Sequence, residues 1–269
     1  MTNANICGIL AFVFPTRNPQ ASKGEQGKAC IIGGSPNIHG APILAGFGAL
    51  ASGVDLTRIL LPKTHTIVAR SAHTNFLVEG FFGDTFSVSD AEKYGKEVEK
   101  WADSVTLGCG FFAEETEAVC ALLQYSLKAI VLDAGALQPE VLPLVSGRKN
   151  VLLTPHAGEF LRLFSCTPTT QTVTDMAKKY NVCLLVKGAT DIISDGKQTQ
   201  ENKTGCPEMS VGGTGDALAG ICGGLLAQGM SPFSAACLAA RAWGKTGEAM
   251  AKTHRAFSAE EMLSLFSRR

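Results

Sequence analysis

Apolar and polar positions alternate between two regimes along this chain. Short, largely apolar runs of three to five residues read as buried strands: Lys28 to Ile32, Ile59 to Leu61, Leu77 to Glu79, Ser104 to Leu107, Ala129 to Asp133, Val151 to Thr154 and Val182 to Val186. Between them lie segments with helical spacing: Pro42 to Ala51, Asp90 to Trp101, Glu114 to Tyr125, a turn or two ending near Phe164, and Thr172 to Tyr180. Pro42 suits the first turn of its helix. Asp195-Gly196 between Ile192–Ser194 and Lys197–Gln200 signals a hairpin. Ala217 to Gln228 is small and apolar throughout and predicts a buried helix, with two more over 232–252 and 258–266. Ile6 to Phe14 reads as a strand or edge segment rather than a leader peptide, because no basic segment precedes it. Strands alternating with helices predict an α/β fold with a largely parallel sheet, and the chain, 1–269, reads as one domain.

Parallel strands place their C-terminal ends on one edge. The runs above end in Gly33-Gly34-Ser35, Gly108-Cys109-Gly110, Asp133, Thr154-Pro155-His156 and Lys187-Gly188, so these groups are expected to share a crevice. The densest such stretch lies between Asn202 and Asp216, where Gly212-Gly213-Thr214-Gly215-Asp216 feeds the buried helix. A glycine loop at a helix start leaves backbone N–H groups for an oxyanion. Asp216 then either caps that helix or takes a proton from a hydroxyl beside a bound phosphate.

Charge and cysteine content narrow the classes. Twenty-four basic and 24 acidic residues balance, so no basic field for nucleic acid exists. No apolar run reaches membrane-spanning length. Nine scattered cysteines without a Cys-x-x-Cys pair point to reduced thiols in a cytoplasmic protein. Gly244-Lys245-Thr246 has the tail of a phosphate-binding loop, but Ala239 stands where its first glycine belongs. Gly46-x-Gly48-x-x-Ala51 does not follow a strand directly, and reads as small residues for close helix packing. Metalloprotease and serine-hydrolase signatures are absent from the sequence.

Seven motifs occur in one order: Gly33-Gly34-Ser35, His39-Gly40-Ala41-Pro42, Gly108-x-Gly110, Asp133-Ala-x-Ala-Leu137, Thr154-Pro155-His156-x-Gly158-Glu159, Lys187-Gly188-Ala189, and Asn202-x-Thr204-Gly205 through Gly213-Thr214-Gly215-Asp216. In this order they resemble the ADP/ATP-dependent NAD(P)H-hydrate dehydratases, a branch of the ribokinase-like superfamily. The resemblance implies a three-layer sandwich, with a mostly parallel central sheet flanked by helices. It also implies phosphorylation of the ring hydroxyl of hydrated NADH or NADPH (NADHX, NADPHX) by ADP or ATP with Mg2+, followed by loss of phosphate.

Residue by residue, the resemblance implies Asp216 as base and the amides of Gly213, Thr214 and Gly215 as an anion hole. Lys187, Gly188, Ala189, Thr190, Asp191 and Gly215 would meet the nucleotide; Ala41, Gly108, Gly110, His156 and Asp216 would meet the hydrate. Glu159 would hold Mg2+ through water. Without the resemblance, Lys187 is a solvated lysine, His156 a helix cap and Glu159 the acid of a first helical turn. A homo-oligomer is implied, acting beside a separate NAD(P)HX epimerase, since no epimerase domain is fused.

The sequence departs from the family pattern at Cys109, Phe111, Phe112 and Gly135, on the acceptor side. A kinase of the same superfamily, acting on a vitamin precursor or sugar hydroxyl, is therefore the alternative; a non-catalytic nucleotide binder is a third.

Overall fold

The computed structural model describes residues 14–126 and 128–267. Nine strands form one sheet: β1 (Lys28–Ile32), β2 (Leu56–Pro62), β3 (Phe76–Phe81), β4 (Ser104–Leu107), β5 (Ala129–Leu132), β6 (Val151–Leu153), β7 (Cys183–Val186), β8 (Asp191–Ser194) and β9 (Thr199–Asn202). Their spatial order is β3-β2-β1-β4-β5-β6-β7-β8-β9. Every pair up to β7 is parallel; β8 and β9 close the sheet as an antiparallel hairpin.

Ten α-helices accompany the strands among the described residues: α1 (Gly40–Ala51), α2 (Thr66–Ala72), α3 (Val88–Trp101), α4 (Thr116–Tyr125), α5 (Leu142–Val145), α6 (Ala157–Phe164), α7 (Thr170–Tyr180), α8 (Thr214–Ala227), α9 (Pro232–Ala251) and α10 (Ala259–Phe266). Side chains alternate across a strand, and β1 shows the result. Ala29 and Ile31 face a core shared with α1, α8, α9 and α10. Cys30 and Ile32 face a second core shared with α3, α4, α6 and α7. The sheet is thus the middle of three layers, and its strands read as continuous apolar runs because both faces are covered.

The order of strands positions the site. The chain builds β1, β2 and β3 outward on one side, then returns to place β4 on the other side of β1. The connections after β1 and β4 therefore diverge, opening a crevice at the carboxyl ends of these strands. Both connections are the glycine turns noted in the sequence, joined by a hydrogen bond from Gly34 N–H to the Cys109 carbonyl, 2.8 Å.

Several boundaries differ from the sequence pattern, each for a local reason. Helix α1 begins at Gly40, placing Pro42 within the first turn, where a missing N–H costs nothing. Strand β9 begins at Thr199 because Asp195 Oδ1 accepts the amides of Lys197 and Gln198, closing a four-residue turn. Helix α2 left no signal: it is seven residues long and buries Ala69 alone. Gly244, Lys245 and Thr246 lie inside α9, so they form no phosphate loop. Residues 6–13 of the proposed first strand lie outside the described residues.

Helices α1 and α8 cross at the centre of one face. A Cβ on Gly220 would fall on the Ala45 carbonyl oxygen, and one on Gly48 would fall on the Ala217 carbonyl. These contacts explain the small residues of both helices. Gly46 is crowded instead by Ile59 and Phe76 on the sheet.

Candidate active site

Helix α8 begins three residues before its apolar run, so Asp216 is its third residue rather than its cap. The N-cap is Gly213, at φ 90°, a left-handed conformation that glycine adopts without the strain a Cβ brings. No side chain caps this helix, which corrects the capping role offered for Asp216. The N-cap glycine thus offers the first-turn amides no side-chain acceptor, and the helix dipole adds partial positive charge there.

A cleft of about 580 Å³ opens beside this helix start, within the range of small-ligand sites. Lys187, Gly188, Ala189, Asp191, Thr214 and Gly215 line its polar side. Met209, Leu218, Ala240 and Trp243 supply apolar wall. The Trp243 indole N–H donates to the Thr214 carbonyl at 3.1 Å, tying α9 to the start of α8. Thr190 belongs to the same turn, which closes by a bond from Gly188 N–H to Asp191 Oδ1, 3.0 Å, but it does not line the cleft.

Asp216 faces a buried polar cluster at the ends of β4, β5, β6 and β7. Oxygen atoms of Asp133 and Asp216 and the Cys109 sulfur lie within 4.8 Å of one another. Lys187 Nζ donates to Asp133 Oδ1 at 2.6 Å, and the Thr154 hydroxyl lies 2.8 Å from the same oxygen. The Cys109 thiol lies 3.8 Å from Asp133 Oδ2. Burial, reinforced by the Asp133 carboxylate, pushes the Asp216 carboxyl up to about 6, although Lys187 opposes the shift. Burial is also what raises Glu159, with Lys187 again opposing. Lys187 itself stays above the usual lysine range: burial pulls it down, but Asp133 and Glu159 outweigh that.

The loops of Ala41 and Gly108–Gly110 meet beside this cluster. The place a Cβ would take on Gly110 lies 3.2 Å from the Ala41 side chain, and Gly108 sits tight against the Asp133 carbonyl. His156 is the N-cap of α6: its Nδ1 accepts the amides of Gly158 and Glu159, while Glu159 Oε2 accepts the His156 amide at 2.7 Å. Because Nδ1 accepts, Nε2 carries the ring proton, and it lies 3.4 Å from Glu159 Oε1. The His156 side chain is 60% exposed, so the capping ring still reaches solvent at the crevice.

The structure relocates the departures from the family pattern. Phe111 is buried and stacks on Phe86, centroids 5.7 Å apart. A Cβ on Gly135 would strike the Phe111 backbone, so glycine there is matched to the neighbouring loop. Cys109 is buried beside Asp133, and only Phe112 is exposed. Three of the four departures are therefore internal. Sequence reasoning gave Asp133 no role; its signal was an acid directly after a buried strand, level with Thr154 and Lys187 on the next two.

The NAD(P)H-hydrate dehydratase family description matches residues 29–267, nearly all of the described chain and every motif above. The chain belongs to the NAD(P)H-hydrate dehydratase family. An ADP-dependent (S)-NAD(P)H-hydrate dehydratase of Cenarchaeum symbiosum is 40% identical over 250 residues, 89% of this chain and 86% of its own. The solved structure of the ADP/ATP-dependent NAD(P)H-hydrate dehydratase of Bacillus subtilis, crystallised with ATP and Mg2+, superposes with a TM-score of 0.81. It is 25% identical, and the match covers 94% of this chain and 92% of that one. A ribokinase-like superfamily protein of Enterococcus faecalis has the same fold, with a TM-score of 0.81 at 22% identity, over 95% of this chain and 90% of that one.

Proposed function

We propose that this family member returns NADHX and NADPHX to NADH and NADPH as a nucleotide-dependent lyase, with ADP as the donor that its archaeal relative's name carries. The observation that carries the reading is the position of Asp216. It lies in the first turn of α8, next to Gly215 of the cleft lining, and its carboxylate is within 4.8 Å of the sulfur of Cys109, the residue between Gly108 and Gly110. Family membership favours this over a kinase acting on a vitamin precursor or sugar.

In the proposed mechanism, adenine lies toward Trp243 and Leu218, and the 187–191 turn holds the phosphates. Asp216 accepts the proton of the ring hydroxyl as its oxygen attacks the terminal phosphorus. The P–O bond to the nucleotide breaks, releasing AMP from ADP. Charge on the phosphoryl group is met by the amides of Gly213, Thr214 and Gly215. Phosphate is a better leaving group than hydroxide. It departs with the C–O electrons, the adjacent carbon loses a proton, and the ring double bond re-forms. His156, at the rim, would hydrogen-bond the hydrate.

Three carboxylates, Asp133, Glu159 and Asp216, lie close enough to the one ammonium of Lys187 to act on it or be acted on by it, and burial raises two of them. That excess of negative charge, on hard oxygen donors, fits Mg2+ held by Glu159 through water. When bound, the ion would offset phosphate charge. Exposed Ile67 and Val68 on α2 and Leu77 on edge strand β3 support a homo-oligomer. No helix among the described residues is long and apolar enough to cross a membrane. The eight described cysteines are free thiols, which supports a cytoplasmic location. The single-domain organisation belongs to the same proposal.

The test is to supply purified protein with NADHX and either ADP or ATP and follow the NADH absorbance band. NADH returns with ADP if the reading is right; none with either nucleotide sinks it. The pH profile adds a check. The base must be ionised, so kcat/KM falls about tenfold per unit as pH drops below about 6. A profile flat to well below that value would remove Asp216 as base.

A further inference from the structure

We propose that Asp133 is a positioning residue that aims the Lys187 ammonium at the phosphoryl group in transit, so that Lys187 serves the transfer step as well as nucleotide binding. This rests on the nucleotide-dependent reading above and names parts of that site it leaves unassigned.

Asp133 cannot meet the nucleotide itself. Its side chain is 3% exposed and both oxygens are engaged. Oδ1 takes Lys187 Nζ and lies beside the Thr154 hydroxyl; Oδ2 faces the Cys109 thiol. Lys187 is different. Its side chain is 18% exposed and lines the cleft, and an ammonium has three N–H donors. Among the described residues its one hydrogen-bond partner is Asp133. Nζ also lies 3.4 Å from the place a Cβ would take on Gly215, at the start of α8. A cation there adds a full charge to the amides and the helix dipole.

Two carboxylates compete for this ammonium. Glu159, on α6, also attracts it, without a hydrogen bond to it among the described residues. The tether to Asp133 decides the direction. Backbone ladders fix both ends: Asp133 N–H donates to the Leu107 carbonyl at 3.0 Å, and Lys187 N–H to the Pro155 carbonyl at 2.8 Å. Asp133, Thr154 and Lys187 follow three adjacent strands, β5, β6 and β7, so the sheet holds the reach between them constant. Freed from Asp133, the flexible lysine stem would give the ammonium other positions.

A double-mutant cycle tests this. With ADP and NADHX, Lys187→Gln is expected to lower kcat about 100-fold and to weaken ADP about tenfold, as loss of a preorganised charge does. Asp133→Asn lowers kcat about 30-fold and leaves the KM for ADP within about threefold, a split that general loss of folding would not give. The double variant, which strands neither charge, is no more than about threefold slower than Lys187→Gln alone. A double variant slowed by the product of the two single effects overturns the proposal, because Asp133 would then act independently of Lys187.

Calorimetric titration with ADP needs no turnover. Adding Asp133→Asn to Lys187→Gln is expected to weaken ADP no further, and an additional tenfold loss overturns the proposal. Wild-type protein that binds ADP but regenerates no NADH counts against the dehydratase reading, and the titration still decides this one.

Discussion

Asp216→Asn is expected to abolish NADH regeneration, with kcat down at least about 1000-fold, while ADP binding stays within a fewfold of wild type. The amide keeps the shape of the carboxylate but cannot accept the hydroxyl proton, and general-base catalysis is worth roughly 100- to 10,000-fold. A second effect has the opposite sign. Burial and Asp133 raise the Asp216 carboxyl from 3.8 to about 6 in the folded protein. The raised group binds its proton more tightly folded than unfolded. Its stabilising contribution is complete below the unfolded value and lost as pH rises through about 6. At neutral pH the ionised carboxylate therefore destabilises the fold, by about 2 kcal/mol after allowing for its partial exposure. Asp216→Asn should raise the melting temperature at pH 7 by several degrees, with the gain shrinking toward pH 4. Thermal melts at the two pH values, beside a turnover assay, check both parts. An active variant, or one melting lower at neutral pH, would refute this account.

Gly220→Ala carries the largest expected structural effect. The new Cβ would fall on the Ala45 carbonyl oxygen, which α1 cannot withdraw without moving bodily. Alanine improves helix propensity by about 1 kcal/mol, but overpacking costs about 1–3 kcal/mol or more, and contact with backbone belongs at the upper end. A net loss of about 2 kcal/mol is expected, read as a lower denaturant midpoint with an unchanged slope. Activity should fall as well, because α1 carries Ala41 and α8 carries Asp216, and separating the helices widens the gap between them. Gly40→Ala, where a Cβ meets open space, serves as the control and should leave stability unchanged.

The parts of this protein written in consecutive residues were legible early. Strand cores such as Ala129 to Leu132 were readable because burial on both faces leaves an unbroken apolar run. The glycine loop before Asp216 was readable because its composition has few uses other than a turn that frees amides. Asp133 was less so. Its partners Lys187 and Thr154 are 54 and 21 residues away, and only strand pairing puts them together. Helix α2 was invisible for a different reason: a single buried residue makes no periodic pattern.

Phe111 and Gly135 show how a tertiary contact can change a motif's meaning. In the sequence both were departures in an acceptor pocket; in the fold Phe111 occupies the space that a side chain at position 135 would need. His156 likewise reads as a substrate contact by motif and sits in the structure as a cap whose exposed edge faces the crevice.

The sequence by itself determined the alternation of strands and helices, the glycine loop ahead of Asp216 and the family to which the chain belongs, because each is carried by local pattern or by motif order. Tertiary structure alone decided that Asp216 begins a helix turn without capping it, that its carboxyl is raised, and that Asp133 holds Lys187 at the edge of the cleft. Those properties depend on burial and on distances between charges contributed by different strands, and neither is set until the sheet has assembled.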